Sequence, residues 1–345
     1  MRKQAGACLR SVGLAILALA ALPAAAQPLA SQAARDRILR LSAQVVGQVF
    51  TGLDIAMPEP DETERQTRLD EALVREAGLN HFDRVQTLLI AGARANAPDE
   101  RGNTALMWAA FFHNAWAVDM LLERGARPEA ANDRGRNALM QAVQIYESFD
   151  AARDIAVRLL AKSADPKALL NAKDRQGRTA LMHALSDRGL SDPAPAVQFL
   201  IQRGASADAA DEQGRTALFY AVQSEYVQAL KELASSGADA NARDGEGRTP
   251  LMLACDQGKT SAAQALIALP PVEAHEPVIQ DHTPLMVCAV NGHLDALKTL
   301  IAAKADLNYR DRVNGRTALG LARLYGADPV HRQIILALVA AGAAE

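Results

Sequence analysis

Short apolar segments recur at nearly even spacing along most of the chain. Each begins with a threonine or an asparagine and continues with small and aliphatic residues, as in TALMWAA, TALMHAL and TPLMLAC. The segments begin at Thr104, Asn137, Thr179, Thr216, Thr249, Thr283 and Thr317, at spacings of 33, 42, 37, 33, 34 and 34 residues. A weaker copy, EALVREA, begins 33 residues earlier at Glu71. The pattern predicts eight structural units between residue 69 and the C-terminus.

Each unit has the pattern of two short helices and a turn. A glycine two residues before the threonine or asparagine permits a tight turn with positive φ. These glycines are Gly102, Gly135, Gly177, Gly214, Gly247 and Gly315. The threonine is predicted to cap the first helix. The second helix has leucines at helical spacing and ends at a glycine, as in YVQALKELASSGAD, where Gly237 is the predicted C-cap.

This unit resembles the ankyrin repeat, whose signature T-P-L-H-x-A and 33-residue period it nearly reproduces. The resemblance covers residues 69–345. It departs from the signature at the histidine, which is replaced by Met107, Met140, Met182, Phe219, Met252, Met286 and Gly320, and the seventh turn has Asp281 in place of glycine. The resemblance implies an all-α ankyrin-repeat solenoid of about eight repeats, preceded by an N-terminal capping helix.

Three insertions lengthen the period, at residues 146–150, 167–170 and 190–195. Insertions in repeat arrays belong in loops and often lie on the binding face. Lengthened helices and tolerated loops are the alternative interpretation.

The first 26 residues have the order of a secretory signal peptide. Arg2, Lys3 and Arg10 precede or flank the apolar run VGLAILALAAL, and Ala24 and Ala26 form an A-x-A cleavage pattern. We expect cleavage after Ala26 and a periplasmic or secreted protein of bacterial type, with an uncleaved membrane anchor as the alternative. Because cleavage removes the three basic residues, the formal net charge changes from −3 to −6.

Residues 27–68 are predicted to contain one amphipathic helix and a linker. Ile38, Leu41, Val45 and Val49 share a helical face, and residues 51–66 are rich in proline and acidic residues. We expect this helix to cover the exposed side of the first repeat, since terminal repeats need protection from solvent. An independent partner-binding or membrane-surface helix is the alternative.

The chain has no motif of a known catalytic, metal or cofactor site. HExxH, CxxC pairs, GxSxG and the Walker motif are absent, and no concentrated basic region favours nucleic acid. We therefore expect no enzyme, no metal and no cofactor. His113 and His293 are predicted to have structural roles. Cys255 and Cys288 replace small alanines of consecutive repeats, which predicts two buried free thiols, with a redox pair as the alternative.

Four aromatic residues lie close together in the second unit. The segment MWAAFFHNAWAV contains both tryptophans, Trp108 and Trp116, and also Phe111 and Phe112. The resemblance places positions seven and eight after the threonine on the concave groove, so Phe111 and Phe112 are expected there, with Trp108 in the core and Trp116 half-buried. Adjacent exposed aromatic residues are typical of interface anchors. The alternative is that the N-terminal helix or the insertion at 146–150 covers them.

Further groove residues follow from the same positions and from the turns. An arginine precedes the capping residue in five units, and an aspartate recurs five residues before it, as Asp99, Asp174, Asp211 and Asp244. These arginines either stabilise their own turns or recognise an acidic partner. The predicted partner-binding residues are Phe111, Phe112, Arg136, Gln144, Ile145, Arg178, Asp187, Arg215, Gln223, Arg248 and Gln257, and Arg316 completes the arginine row.

The sequence therefore predicts an exported, non-enzymatic module that binds a protein through its groove. We expect a monomer without a membrane span after signal cleavage, acting as accessory to a periplasmic enzyme. The alternative is a secreted effector or a toxin-neutralising protein that uses the same surface.

Overall fold

The computed structural model describes residues 62–144, 149–186, 193–269 and 282–344. The expected signal peptide and N-terminal helix lie outside the described residues, as do Ile145, Asp187 and Asp281. The described part of the chain belongs to two compact units, one with residues 62–69 and 90–93 and the other with residues 70–89 and 94–344. Within the smaller unit, the Gln66 side chain donates a hydrogen bond to the Gly92 carbonyl at 3.1 Å.

The described residues form seventeen helices and no strand. They are α1 Glu62–Gly78, α2 Phe82–Ile90, α3 Ala105–Phe111, α4 Ala115–Glu123, α5 Ala138–Ala142, α6 Phe149–Lys162, α7 Pro166–Asn171, α8 Ala180–Ser186, α9 Ala194–Gln202, α10 Ala217–Gln223, α11 Val227–Ser235, α12 Pro250–Asp256, α13 Thr260–Ile267, α14 Pro284–Asn291, α15 Leu294–Ala302, α16 Ala318–Leu324 and α17 Pro329–Ala340. Within these ranges no helix combines the length and the apolar character that crossing a bilayer requires.

The helices of the larger unit stack in two layers. One layer contains α3, α5, α8, α10, α12, α14 and α16, and the other contains α4, α6, α9, α11, α13, α15 and α17. Each helix packs against the next helix of its own layer and against its partner in the other layer. Such stacking buries the apolar face that a single helix pair leaves exposed. The larger unit is a helical-repeat solenoid, as the sequence predicts.

The core repeats with the sequence. The leucine two residues after each capping residue is at most 2% exposed, at Leu106, Leu139, Leu181, Leu218, Leu251, Leu285 and Leu319. The methionines that replace the histidine of the signature are also buried. Full burial of one such side chain contributes about 1.5–3 kcal/mol to stability. Because these side chains lie between stacked helices, the contact of each repeat with its neighbours contributes to the stability of both.

The predicted helix caps form in five units. The side chains of Thr104, Asn137, Thr249, Thr283 and Thr317 each accept a hydrogen bond from the backbone N–H three residues later. The hydroxyl groups of Thr179 and Thr216 are buried and make no hydrogen bond within the described ranges. Capping therefore defines the first helix in most units but not in all.

Two segments expected to be irregular are helical. Helix α1 begins at Glu62, inside the segment predicted as a linker. Helix α7 occupies the insertion expected as a loop at 167–170, because Asp165 caps it and Leu169 and Leu170 are buried. The residues described around these insertions fit the alternative of lengthened or additional helices.

One acidic or amide side chain organises each of five hairpin turns in the described part of the chain. Asp174 Oδ1 accepts hydrogen bonds from the backbone N–H groups of Gln176 and Arg178, both at 2.9 Å. Asp99, Asn132, Asp211 and Asp244 accept the equivalent pair of bonds in their own turns. Contacts within the turn itself therefore hold its conformation.

Backbone hydrogen bonds then join successive turns. Asp133 N–H donates to the Arg101 carbonyl at 2.9 Å, and Arg175 N–H donates to the Arg134 carbonyl at 2.8 Å. The next two turns continue this row of bonds. A hypothetical Cβ on Gly135, which has φ +74°, would lie 2.7 Å from the backbone nitrogen of Arg175. Glycine is required at this position by both the positive φ and the close approach.

We predict that Gly135→Ala destabilises the protein more than Gly315→Ala. Gly315 occupies the same turn position with φ +65°, but no atom lies within 4 Å of its hypothetical Cβ. The Gly315 variant bears only the strain of an L-residue in the left-handed conformation, about 1–2 kcal/mol. The Gly135 variant adds a steric overlap of about 1–3 kcal/mol. Urea unfolding measures both, and equal losses of unfolding free energy would contradict the role of turn contact.

Candidate functional site

An open cleft of about 600 Å³ lies where the hairpin turns meet the first helices of two successive repeats. Its walls come from α3, α5 and the turns that precede them. The lining residues are Arg101, Asn103, Met107, Trp108, Phe111, Asn132, Asp133, Arg134, Arg136, Gln141 and Gln144. The cleft thus combines two aromatic rings with three arginines and several amides.

Trp108 and Phe111 form the aromatic part of the cleft. They lie one helical turn apart on α3, and their rings meet edge to face with centroids 6.1 Å apart. Trp108 is half-buried, so the expectation that it belongs to the core is wrong. Its indole packs near Gly78 at the end of α1, where a Cβ would lie 3.5 Å from the ring. The first helix pair therefore approaches the indole closely at Gly78.

Phe112 is placed differently from Phe111. Its side chain is 37% exposed but does not line the cleft. The ring stacks on Trp108 with centroids 6.3 Å apart and meets the buried Phe82 ring edge to face at 6.5 Å. Phe112 therefore supports Trp108 from the side of the first helix pair. Trp116, expected to be half-buried, is 47% exposed.

The other predicted groove positions are distributed along the solenoid. Gln144 lines the cleft beside Phe111. Gln223 and Gln257 are exposed at the ends of α10 and α12, in later repeats. Ile145 and Asp187 lie outside the described residues. The partner-binding role of all five stays a prediction.

Three arginines of the predicted row are held by their own turns. Arg178 pairs with Asp174, Arg215 with Asp211 and Arg248 with Asp244, at N–O distances of 2.9–3.0 Å. These arginines therefore stabilise their own turns, which is one of the two roles that the sequence allows. Arg136 differs, because its Nε lies 3.9 Å from Asp174 in the following repeat and its side chain also lines the cleft.

Two further arginines of the cleft were not predicted from the sequence. Arg101 and Arg134 stand three residues before the capping residue and are exposed. Neither guanidinium forms a hydrogen bond or an ion pair anywhere in the described ranges, and both line the cleft. The signal was present in the sequence, since the same turn position has Gln176, Gln213 and Glu246 in the next three units.

In the two repeats after the cleft, the position of Trp108, four residues after the capping residue, belongs to a buried polar pair. His183 Nε2 lies 3.0 Å from Asp174 Oδ2, and the Tyr220 hydroxyl donates to Asp211 Oδ2 at 2.7 Å. Burial opposes ionisation of Asp174, but hydrogen bonds from His183 and Arg178 hold its pKa well below the usual range. Burial lowers the pKa of His183 and raises that of Tyr220. The imidazole is therefore neutral and donates its Nε2–H to the carboxylate.

A family model described as ankyrin repeats (3 copies) matches residues 73–167, 149–244, 228–311 and 251–344. These matches cover most of the chain. The chain belongs to the ankyrin-repeat family. Ankyrin repeats are generally protein–protein interaction modules, and the family is typically non-enzymatic. No curated protein matches the chain.

Two further histidines and two cysteines of the ankyrin repeats make contacts within the fold. His113 Nε2 lies 2.8 Å from the Ala142 carbonyl and His293 Nε2 lies 3.0 Å from the Asp256 carbonyl, so each links neighbouring repeats as expected. Cys255 and Cys288 are buried free thiols on adjacent helices. Burial and the neighbouring Cys288 raise the pKa of Cys255. Within the described ranges no three His, Cys, Asp or Glu side chains form a group that could hold a metal ion.

The neutral state of His183 predicts a pH dependence of ankyrin-domain stability. Because its folded pKa is lowered, only the unfolded chain takes up this proton as the pH falls below about 6.5. The free energy of unfolding then decreases by up to about 1.4 kcal/mol per pH unit until the folded pKa is reached. His183→Gln lacks this proton, so its stability should fall less between pH 7.5 and 5.5. Urea unfolding at both pH values measures the difference, and equal pH slopes would show that His183 is not held neutral.

Proposed function

We propose that the chain is an exported ankyrin-repeat protein that acts as a monomer and binds a protein partner at the cleft lined by Trp108 and Phe111. The partner belongs to the same compartment, the periplasm or the exterior, and a periplasmic enzyme is the simplest candidate. The signal-peptide pattern of residues 1–26 supports the compartment, and the family supports the class of function.

The accessible aromatic surface of the cleft carries this proposal. In the fifth unit the aromatic residues of the first helix, Phe219 and Tyr220, are at most 6% exposed. Trp108 and Phe111 occupy the first helix of the second unit but leave ring surface open to the cleft. Aromatic rings beside arginines are the composition most enriched in binding hot spots.

The test is affinity capture of the partner from the envelope and periplasmic fractions of the source cells. Truncating a buried aromatic anchor costs about 2–4 kcal/mol of binding. Phe111→Ala should therefore weaken capture at least about tenfold, with little change in thermal unfolding. The captured wild-type chain should begin at or near Gln27, and an intact Met1 would contradict export with cleavage.

Leu324→Ala provides the matched control. Leu324 stands at the position of Phe111 in the last repeat, seven residues after Thr317, and is 56% exposed. Its truncation should leave capture unchanged. If Leu324→Ala weakened capture as much as Phe111→Ala, the partner would not be bound at the aromatic cleft. If Phe111→Ala unfolded several degrees early, the ring would be structural.

A further inference from the structure

We infer that the segment captured at this cleft is an acidic peptide stretch with one apolar side chain between its carboxylates. This inference rests on the proposed function, since it names the chemistry of the partner at the same site. The positive charge at the cleft, the internal hydrogen bonds of its asparagine amides and the change of charge along the turns support it.

The rim of the cleft has an excess of positive charge. Arg101, Arg134 and Arg136 line it, and Asp133 is the acidic residue among the lining side chains. The guanidiniums of Arg101 and Arg134 are exposed and make no ion pair in the described part of the chain. The whole sequence has a formal net charge of −3, so this positive rim is a local feature. A guanidinium without an internal partner recognises carboxylates by paired hydrogen bonds.

The amides near the rim are already used within the fold. Asn132 Nδ2 donates to Asn103 Oδ1 at 2.7 Å, and Asn103 Nδ2 donates to Asp99 at 3.0 Å. Asn132 Oδ1 accepts from the backbone of Arg134 and Arg136. These amides therefore offer little to a ligand. Among the other lining residues, Trp108 and Phe111 provide the apolar surface and the arginines provide the positive charge.

The rim charge changes along the solenoid at one turn position. The third residue before the cap is Arg101 and then Arg134 in the cleft repeats, followed by Gln176, Gln213 and Glu246. Gln213 accepts a hydrogen bond from Arg215 at 3.1 Å, and Glu246 pairs with Arg248 at 3.2 Å. In these later turns the residue at this position contacts the arginine of its own turn, whereas Arg101 and Arg134 make no ion pair in the described part of the chain and lie beside the aromatic rings. An acidic segment with an apolar anchor satisfies both features at once.

The test is selection from a phage-displayed library of random peptides on the full mature chain. We expect the selected peptides to be enriched in aspartate and glutamate flanking an aromatic or aliphatic residue. A selected peptide, once synthesised, should lose at least about tenfold in affinity with Trp108→Ala and with the double variant Arg101→Gln and Arg134→Gln. Thermal unfolding checks that both variants remain folded.

The matched control is the double variant Gln176→Glu and Gln213→Glu. It lowers the net charge by the same amount at the same turn position, two repeats further on. Its affinity for the peptide should stay within about twofold of wild type, because screening limits charges beyond about 10 Å. An equal loss in both double variants would show that overall charge, not the cleft, attracts the peptide, and would overturn the inference.

The remaining outcomes separate the inference from the proposed function. Selected peptides that depend on Trp108 but lack acidic residues would overturn the inference and leave the proposed cleft intact. Peptides whose binding ignores both Trp108 and the two arginines would overturn both. If no peptide were selected, the inference would fail, while capture with Phe111→Ala would still decide the proposed function.

Discussion

The pair of hydrogen bonds accepted by one turn side chain is the contact on which the repeats depend. Asp174, like its counterparts in other turns, binds two backbone N–H groups of its own hairpin. This fixes the turn so that its glycine can approach the next backbone and so that carbonyl and N–H groups of successive turns meet. Removing such an acceptor would leave two part-buried backbone N–H groups of the turn without this partner.

In the later repeats the same turn side chains also bind the arginine next to the cap. The carboxylates of Asp174, Asp211 and Asp244 hold the arginine next to the cap in their own turns. The second unit has Asn103 at that position, and the third has an amide acceptor, Asn132, in place of the aspartate. In these two turns the carboxylate–guanidinium pair within one turn is missing. The positive charge at the cleft comes from Arg101 and Arg134, which stand three residues before the cap and line the cleft together with Trp108 and Phe111.

Much of the fold was predictable from the sequence because its causes are local. The spacing of Thr104 and its counterparts, the turn glycines and the buried leucines each reflect a requirement of a single unit. The accessibility of Trp108 was not predictable, because it depends on how Gly78 of α1 and the ring of Phe112 pack against the indole. The ion pair of Arg178 with Asp174 was not predictable for a similar reason, because a separation of four residues does not determine whether the two side chains are in contact. The sequence shows that the turn position of Arg101 changes to Gln176 in later repeats, but it does not show that the Arg101 guanidinium has no ion pair in the described part of the chain.

The central claim is that the partner contacts the repeats of the cleft and not the later part of the groove. Gln144 and Gln223 are both glutamines seven residues after their capping residues, but only Gln144 lines the cleft. Replacing each in turn by the photoreactive benzoylphenylalanine and irradiating the protein in its own compartment tests this claim directly. The account predicts a covalent partner adduct from position 144 and none from position 223. Adducts of equal yield at both positions, or an adduct at position 223 alone, would contradict it.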